Sequence, residues 1–378
     1  MSRDLTLVAI ALVLWGVGEG MFLYFEPLYL QELGADPVLI GTILGIVGIS
    51  MTVAHLPAGY LADRFGRRPL LRAAWLMGTL ATALLALSTS LPMFVTGMTL
   101  YGLTSFVVVP LNSYVTAARG HWSVARALTL ISATFNFGAI LGPLLGGWIG
   151  DQVGLQRTFM IAAFLFLAST AVLFFIRPQP VERLPVELKG NSMRAVLTSR
   201  TLRFLFVVFI ATFCMFLPQP LSQNFLQNER GIGLSQIGQL IAARSLGVVL
   251  LNLLLGQMNA RAGYLLAQVG VGLFTVFLWH GSGLPWFLLG YFLLGSYQTA
   301  RSLATAQSRS LVSSANMGIT YGLIETAAAL AIILAPPLAG LLYAHKPVWI
   351  YSISLLLIGL ALANTIIFSP LRIKDVQS

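Results

Sequence analysis

Apolar runs long enough to cross a bilayer fill this 378-residue chain almost from end to end, with only short polar segments between them. About 20 such residues span the hydrocarbon core as a helix, and a helix is favoured there because it satisfies its own backbone polar groups. The runs predict spans over Leu5–Gln31, Val38–Tyr60, Leu70–Ser88, Leu91–Ala117, Ser123–Gly150 and Thr158–Ile176. After a polar stretch the pattern resumes over Thr201–Leu226, Ser235–Met258, Gly263–His280, Leu284–Ser308, Gly318–Ala344 and Val348–Ser369. The expected class is an all-α integral membrane protein of twelve transmembrane helices in two pseudo-symmetric six-helix bundles. Only 9% of the residues are charged and 57% are hydrophobic, whereas a soluble domain carries roughly a quarter charged residues.

The one long connection splits the chain into a first bundle at 1–176, a cytoplasmic linker at 177–200 and a second bundle at 201–378. Three prolines and few apolar residues leave that linker unable to bury a core of its own. The net charge of +10 reflects topology rather than nucleic-acid binding, because the bases fall in short segments between spans. Of 22 lysines and arginines, 17 lie on the face that holds both termini and the linker and three on the other. That bias predicts a multi-pass protein of the plasma (cell inner) membrane with both termini cytoplasmic. The first apolar run is too long for a signal-peptide core and is expected to remain as a span. Cys214 is the one cysteine, so no intramolecular disulfide is expected, and a monomer is the expected state.

The densest charge lies in the turn Gly59-Tyr60-Leu61-Ala62-Asp63-Arg64-Phe65-Gly66-Arg67-Arg68, closing on Leu71. It resembles the signature G-x-L-A-D-R-x-G-R-K/R-x-x-L between the second and third helices of major facilitator superfamily transporters, and the resemblance covers essentially the whole chain. Gly59 and Gly66 let helix ends approach closely, while Asp63 can cap a helix N-terminus and pair with arginine. The resemblance implies that Gly59, Asp63, Arg64, Gly66, Arg67 and Arg68 form a latch for the outward-facing state; the arginines also enforce topology. A second motif, Gly138, Gly142, Pro143, Gly146 and Gly147, is similar to the G-x-x-x-G-P-x-x-G-G of the superfamily's drug-exporting antiporters. Glycines four apart make a smooth stripe for helix packing, so packing and antiporter-type gating both remain open. One departure stands out: where those exporters place an arginine in the fourth helix, this chain has Met98 and Tyr101 ahead of Gly102.

The halves repeat weakly, as duplicated transporter folds do. Gly59, Arg64 and Gly66 match Gly256, Arg261 and Gly263 at an offset of 197, as do Ile40-Gly41 and Ile237-Gly238. Gly142-Pro143 and Gly147 match Ala335-Pro336 and Gly340 at 193. In the second copy Asp63 has become Ala260 and Arg67 has become Tyr264, so the charged latch belongs to the first half.

Ionisable groups inside spans are costly and are therefore functional candidates. In the first span Glu19 and Glu26 are seven residues apart, on nearly one helix face. A carboxyl in an apolar cavity holds a proton more readily than one in water, which a coupling group requires; Glu26, beside Pro27, is alternatively solvated in the headgroup layer. Arg301 and Glu325 lie at matching depth and can pair, either as a static bridge or as a protonation switch. Arg244 is a candidate for attracting an anion or for tuning a carboxylate of the first span. Asn112, Asn136, Gln219, Gln223 and Gln298 add a polar cavity lining, with helix-to-helix hydrogen bonding as the alternative.

These features predict a secondary active transporter of alternating access that couples protons to the export of a small organic or drug-like molecule. A sugar or organic-anion transporter, including a symporter, and a lipid flippase of the same fold are the alternatives. Neither a phosphate-cradling G-x-x-x-x-G-K-S/T loop nor a metal-ligand cluster nor a nucleophile–base arrangement stands out. No cofactor, metal or enzymatic activity is expected; the expected partners are a small-molecule substrate, protons and the lipid bilayer, with no nucleic acid.

Overall fold

The computed structural model describes residues 2–55, 66–179, 197–308 and 317–368. The candidate latch residues Gly59, Asp63 and Arg64, and most of the 177–200 linker, lie outside the described residues. Among those described there are helices and no strands. In chain order the helices are α1 (Arg3–Phe22), α2 (Glu26–Glu32), α3 (Pro37–His55), α4 (Arg67–Leu87), α5 (Leu91–Leu103) and α6 (Val108–Ala118). They continue as α7 (Val124–Val153), α8 (Leu155–Leu173), α9 (Ser199–Phe216), α10 (Ser222–Arg230) and α11 (Leu234–Leu255). The last are α12 (Ala260–His280), α13 (Leu284–Leu294), α14 (Ser296–Ser308), α15 (Met317–His345) and α16 (Trp349–Phe368).

Among the described residues eleven helical stretches are long and apolar enough to cross a membrane. The twelfth rod is divided between α13 and α14, as the tenth span is interrupted at Gly295. Apolar side chains face outward along these rods, with Phe164 71% and Ile367 69% exposed. Side chains of that kind are stable against lipid tails and not against water.

Four of the expected continuous spans are interrupted, and the sequence supplies the reasons. In the first, Pro27 has no N–H to offer the preceding turn, so α1 stops at Phe22 and α2 starts at Glu26 with the proline in its first turn. In the seventh, Pro218 and Pro220 separate α9 from α10 in the same way. In the fourth, Pro110 cannot donate to the turn before it, and a 3-10 turn at Thr104–Val107 joins α5 to α6. In the tenth, Gly295 lies against the backbone of α11, where a Cβ would meet Gly247 Cα at 2.8 Å.

The chain divides into two compact units, one of residues 1–36, 46–185 and 231–242 and the other of residues 37–45, 186–230 and 243–378. In the first unit α1 packs on α7 and α8, and α4 packs on α8 and α5. In the second α9 packs on α15 and α16, and α12 packs on α13, α14 and α16. Glycines set the α1–α7 contact. A Cβ on Gly138 would sit 2.6 Å from Val13 O, one on Gly142 2.7 Å from Gly20 Cα, and one on Gly146 2.7 Å from Met21 Cα. The helix runs through Pro143 without a break.

Close contacts recur in both units at equivalent positions. In the first, Gly238 lies against the Pro143 carbonyl and Gly147 against Leu234 and Ser235. In the second, Gly41 lies against the Pro336 carbonyl and Gly340 against Pro37 and Val38. Gly102 meets Ser50 and Val47 in one unit, and Gly295 meets Gly247 and Val248 in the other. These contacts follow the offsets of 197 and 193 read from the sequence.

The repeat around the charged turn requires a correction. Gly66 precedes α4 with φ 82°, a conformation that glycine tolerates, whereas Gly263 lies inside α12, which starts at Ala260 behind the cap Asn259. Both helices have 21 residues. Their buried positions coincide at an offset of 193: Leu70, Leu71, Ala74 and Trp75 correspond to Gly263, Tyr264, Ala267 and Gln268. Gly66 therefore has no counterpart at Gly263, and the second-half turn is four residues shorter. Arg67 and Arg68 open α4 half-buried. One turn on, Arg72 donates to the Phe174 carbonyl and lies 4.8 Å over the Phe174 ring.

Candidate functional site

A cavity of about 400 Å³ opens inside the first unit. Its walls come from α1 through Leu12, Trp15 and Glu19, from α2 through Glu26, and from α3 through Val47 and Met51. Met98, Tyr101 and Gly102 of α5, the 3-10 turn and Asn112 of α6 continue the wall, which Ile131, Ser132 and Phe135 of α7 complete. The interruptions of the first and fourth spans thus both border it. At the 3-10 turn the hydroxyls are drawn back to backbone: Thr104 donates to Tyr101 O at 2.7 Å, and Ser105 to Gly102 O at 2.8 Å and Met51 O at 3.0 Å.

Trp15 organises the polar group at Glu19. Its Nε1–H donates both to Glu19 Oε2 at 3.0 Å and to Tyr101 Oη at 3.1 Å. The spacing of Trp15 and Glu19, one helical turn, brings donor and acceptor onto one face. The indole is fixed in turn by rings around it, with Phe166 at 4.4 Å and Trp75 at 4.8 Å between centroids. Offset and tilted ring pairs of this kind are favourable beyond the area that they cover. Gly78 of α4 makes room for the indole, since a Cβ there would overlap its far edge.

Glu19 and Glu26 line the same cavity even though the helix is interrupted between them. Glu26 is 4% exposed. Asn112 also lines it, whereas Asn136 does not: its amide turns back to Ser132, 2.7 Å from the carbonyl and 3.3 Å from the hydroxyl.

The remaining candidates belong to the second unit. Gln219 donates to Met215 O at 2.8 Å, and the Ser222 hydroxyl bridges Gln223 Oε1 at 3.2 Å and the Tyr291 hydroxyl at 3.0 Å. Both glutamines are buried and engaged within the protein. Arg301 Nη2 lies 2.5 Å from Glu325 Oε2, with the two side chains 27% and 57% exposed. Arg244 is half-buried on α11, close enough to Tyr291 and Tyr297 to interact with both electrostatically. Gln298 is exposed on α14. Among the described residues no group of three or more His, Cys, Asp or Glu side chains is arranged to hold a metal ion.

The sequence profile of the Major Facilitator Superfamily matches residues 8–222 and 204–376. The chain belongs to that superfamily. The superfamily fold is equally evident in three dimensions: the crystal structure of a mutant of the nucleoside transporter NupG superposes with a TM-score of 0.82 at 13% identity, over 97% of this chain and 99% of that one. A multidrug resistance protein, MdtG of Enterobacter lignolyticus (strain SCF1), is 31% identical over 47% of this chain and 44% of its own length. The class B tetracycline resistance protein of Escherichia coli is 25% identical over 65% of this chain and 64% of its own. The match spans about half the length of the curated relatives of the MdtG type. As a superfamily member the chain is a multi-pass membrane protein.

Two cavity residues were not assigned a role from the sequence. The sequence marks Tyr101 only by its place near a missing arginine, and marks Trp15 by nothing. Their signal was present as an indole one turn from an intramembrane acid, but its meaning depends on a partner 86 residues away.

Proposed function

We propose that this chain is a secondary active transporter that exports small organic molecules in exchange for protons by alternating access. The observation that carries the reading is Glu19, an intramembrane carboxyl at the wall of a cavity, held by the Trp15 N–H. An acid in an apolar wall, with the Trp15 and Tyr101 side chains as its hydrogen-bond partners and access to the cavity, is suited to taking up and releasing one proton. The resistance functions named for the relatives support export of drug-like molecules, and the fold supports two bundles rocking about a central site. The Arg301–Glu325 pair is assigned to gating, Arg67 and Arg68 to the latch with Asp63, and the glycine stripe of α7 to close packing during the movement. The 17 bases counted on one side support cytoplasmic termini in the bacterial inner membrane.

The test uses the purified protein in liposomes with an imposed pH gradient. Substrate efflux driven by the gradient is expected in the wild type and is expected to be lost in Glu19→Gln, while substrate exchange without a gradient survives. Gradient-driven transport that is unchanged in Glu19→Gln would remove Glu19 from coupling. Transport of sugars or organic anions in preference to drug-like molecules would favour the alternative substrate classes.

A further inference from the structure

We propose that the second unit carries a binding face equivalent to a wall of the first-unit cavity, and that Arg244 on it takes the carboxylate of a drug-like organic acid. The physiological meaning rests on the transport reading; the site itself rests on the repeat and on the side chains that the repeat brings together.

The close glycine contacts fix how the two units correspond. Gly102 lies against Ser50 of α3 and Gly295 against Gly247 of α11, which sets an offset of 197 between α3 and α11 and of 193 between α5 and the α13–α14 rod. The contacts at Pro143 and Pro336 set the same 193 between α7 and α15. Val47, Ser105, Val108, Leu128 and Ser132 line the first-unit cavity. At these offsets their counterparts are Arg244, Gln298, Arg301, Tyr321 and Glu325. The repeat thus turns a largely apolar wall into a polar one.

A membrane span presents such side chains to lipid only at high cost. Gln298, Ser302 and Glu325 are nonetheless exposed, so that side of α14 and α15 fronts water. The charges of the equivalent positions do not cancel. Glu325 is the acid among them and is paired with Arg301, Oε2 to Nη2 at 2.5 Å. Two bases, Arg244 and Arg301, against that one acid leave the face with a net positive charge.

A second observation points to a ligand with acceptor oxygens. Tyr297, one turn before Arg301 and 4% exposed, interacts electrostatically with Arg244, Arg301 and Glu325. Among the described residues its hydroxyl has no hydrogen-bond partner. Buried hydroxyls are ordinarily bonded, and an acceptor oxygen brought between the arginines supplies that partner. A carboxylate meets each of these demands. Its charge answers the net charge of the face, its two oxygens match the planar fork of a guanidinium, and the exposed Gln298 amide offers a further donor.

The experiment measures binding to the full-length protein in detergent by equilibrium dialysis, so its result does not depend on transport. The probes are 2-naphthylacetate and the uncharged 2-naphthylacetamide, both at neutral pH. The wild type is expected to bind the carboxylate more than about tenfold more tightly than the amide, a difference of about 1.4 kcal/mol. Arg244→Gln is expected to bring the carboxylate down to the affinity of the amide. Arg244→Lys, which keeps the charge without the planar fork, is expected to retain part of the preference. Equal affinity of the wild type for the two probes, or an undiminished preference in Arg244→Gln, overturns the proposal. The wild-type comparison stands even if a variant fails to fold. Carboxylate preference without gradient-driven transport upholds the site and removes the transport reading; gradient-driven transport by a protein that shows no such preference does the reverse.

Discussion

The carboxylate of Asp151, near the end of α7, accepts hydrogen bonds from the backbone N–H groups of Leu234 at 3.0 Å and Ser235 at 2.8 Å. It thereby caps the N-terminus of α11 from another helix, satisfying donors that a helix leaves free and meeting its positive dipole end. The contact sits beside the place where Gly147 lets the two backbones approach. Asp151→Ala is expected to lower thermal stability in detergent by about 1 kcal/mol, and Asp151→Asn by less because an amide oxygen still accepts. Equal melting of Asp151→Ala and wild type would show that water replaces the cap without cost.

Closely packed glycines should not tolerate even a methyl group. Gly142→Ala places a Cβ against Gly20 and the Val17 carbonyl, with an expected cost of about 1–3 kcal/mol. Gly41→Ala and Gly238→Ala, each against a proline carbonyl, are expected to cost similar amounts because their surroundings repeat. Gly359→Ala meets nothing within 4 Å and serves as the neutral control. Thermal unfolding of the four variants in one detergent checks the ordering.

The Arg301–Glu325 pair is partly exposed, so its net contribution to stability is expected to be at most about 1 kcal/mol. Glu325→Gln should therefore melt close to the wild type. If the pair gates movement, the same variant loses most of its transport rate, and the exchange Arg301→Glu with Glu325→Arg recovers part of it. A rate that follows stability alone assigns the pair to structure.

Trp15→Phe keeps a ring among Trp75 and Phe166 but removes the N–H shared by Glu19 and Tyr101. Stability is expected to fall by about 1 kcal/mol. Gradient-driven efflux should fall several-fold further than gradient-free exchange. The two transport assays on one preparation measure the split.

The helices were legible in the sequence because length and hydropathy suffice to place a span, and a bilayer admits few alternatives. Their interruptions were visible as Pro27, Pro110, Pro218 and Pro220, yet hydropathy averages across them and reads one rod. The intramembrane acids could be nominated from cost alone. Their surroundings could not: the Trp15 bridge, the Arg301–Glu325 pair and the Asp151 cap join residues 24 to 86 positions apart. The amides were harder still. Asn112 and Asn136 look equivalent in a helical pattern, but one lines the cavity while the other bonds back to its own helix.

The four-residue difference between the two turns has a consequence for the history of the chain. Four residues of helix amount to about 6 Å of rise, roughly one full turn. The matched contacts shift from an offset of 197 at Ser50 and Gly247 to 193 at Leu70 and Gly263, so the change in length falls between those positions. The charged signature is thus the property of one repeat, not of the duplicated ancestor's symmetry as it survives today. A chimaera built from two copies of the first half would carry two such turns on one membrane face, and a chimaera of two second halves would carry none.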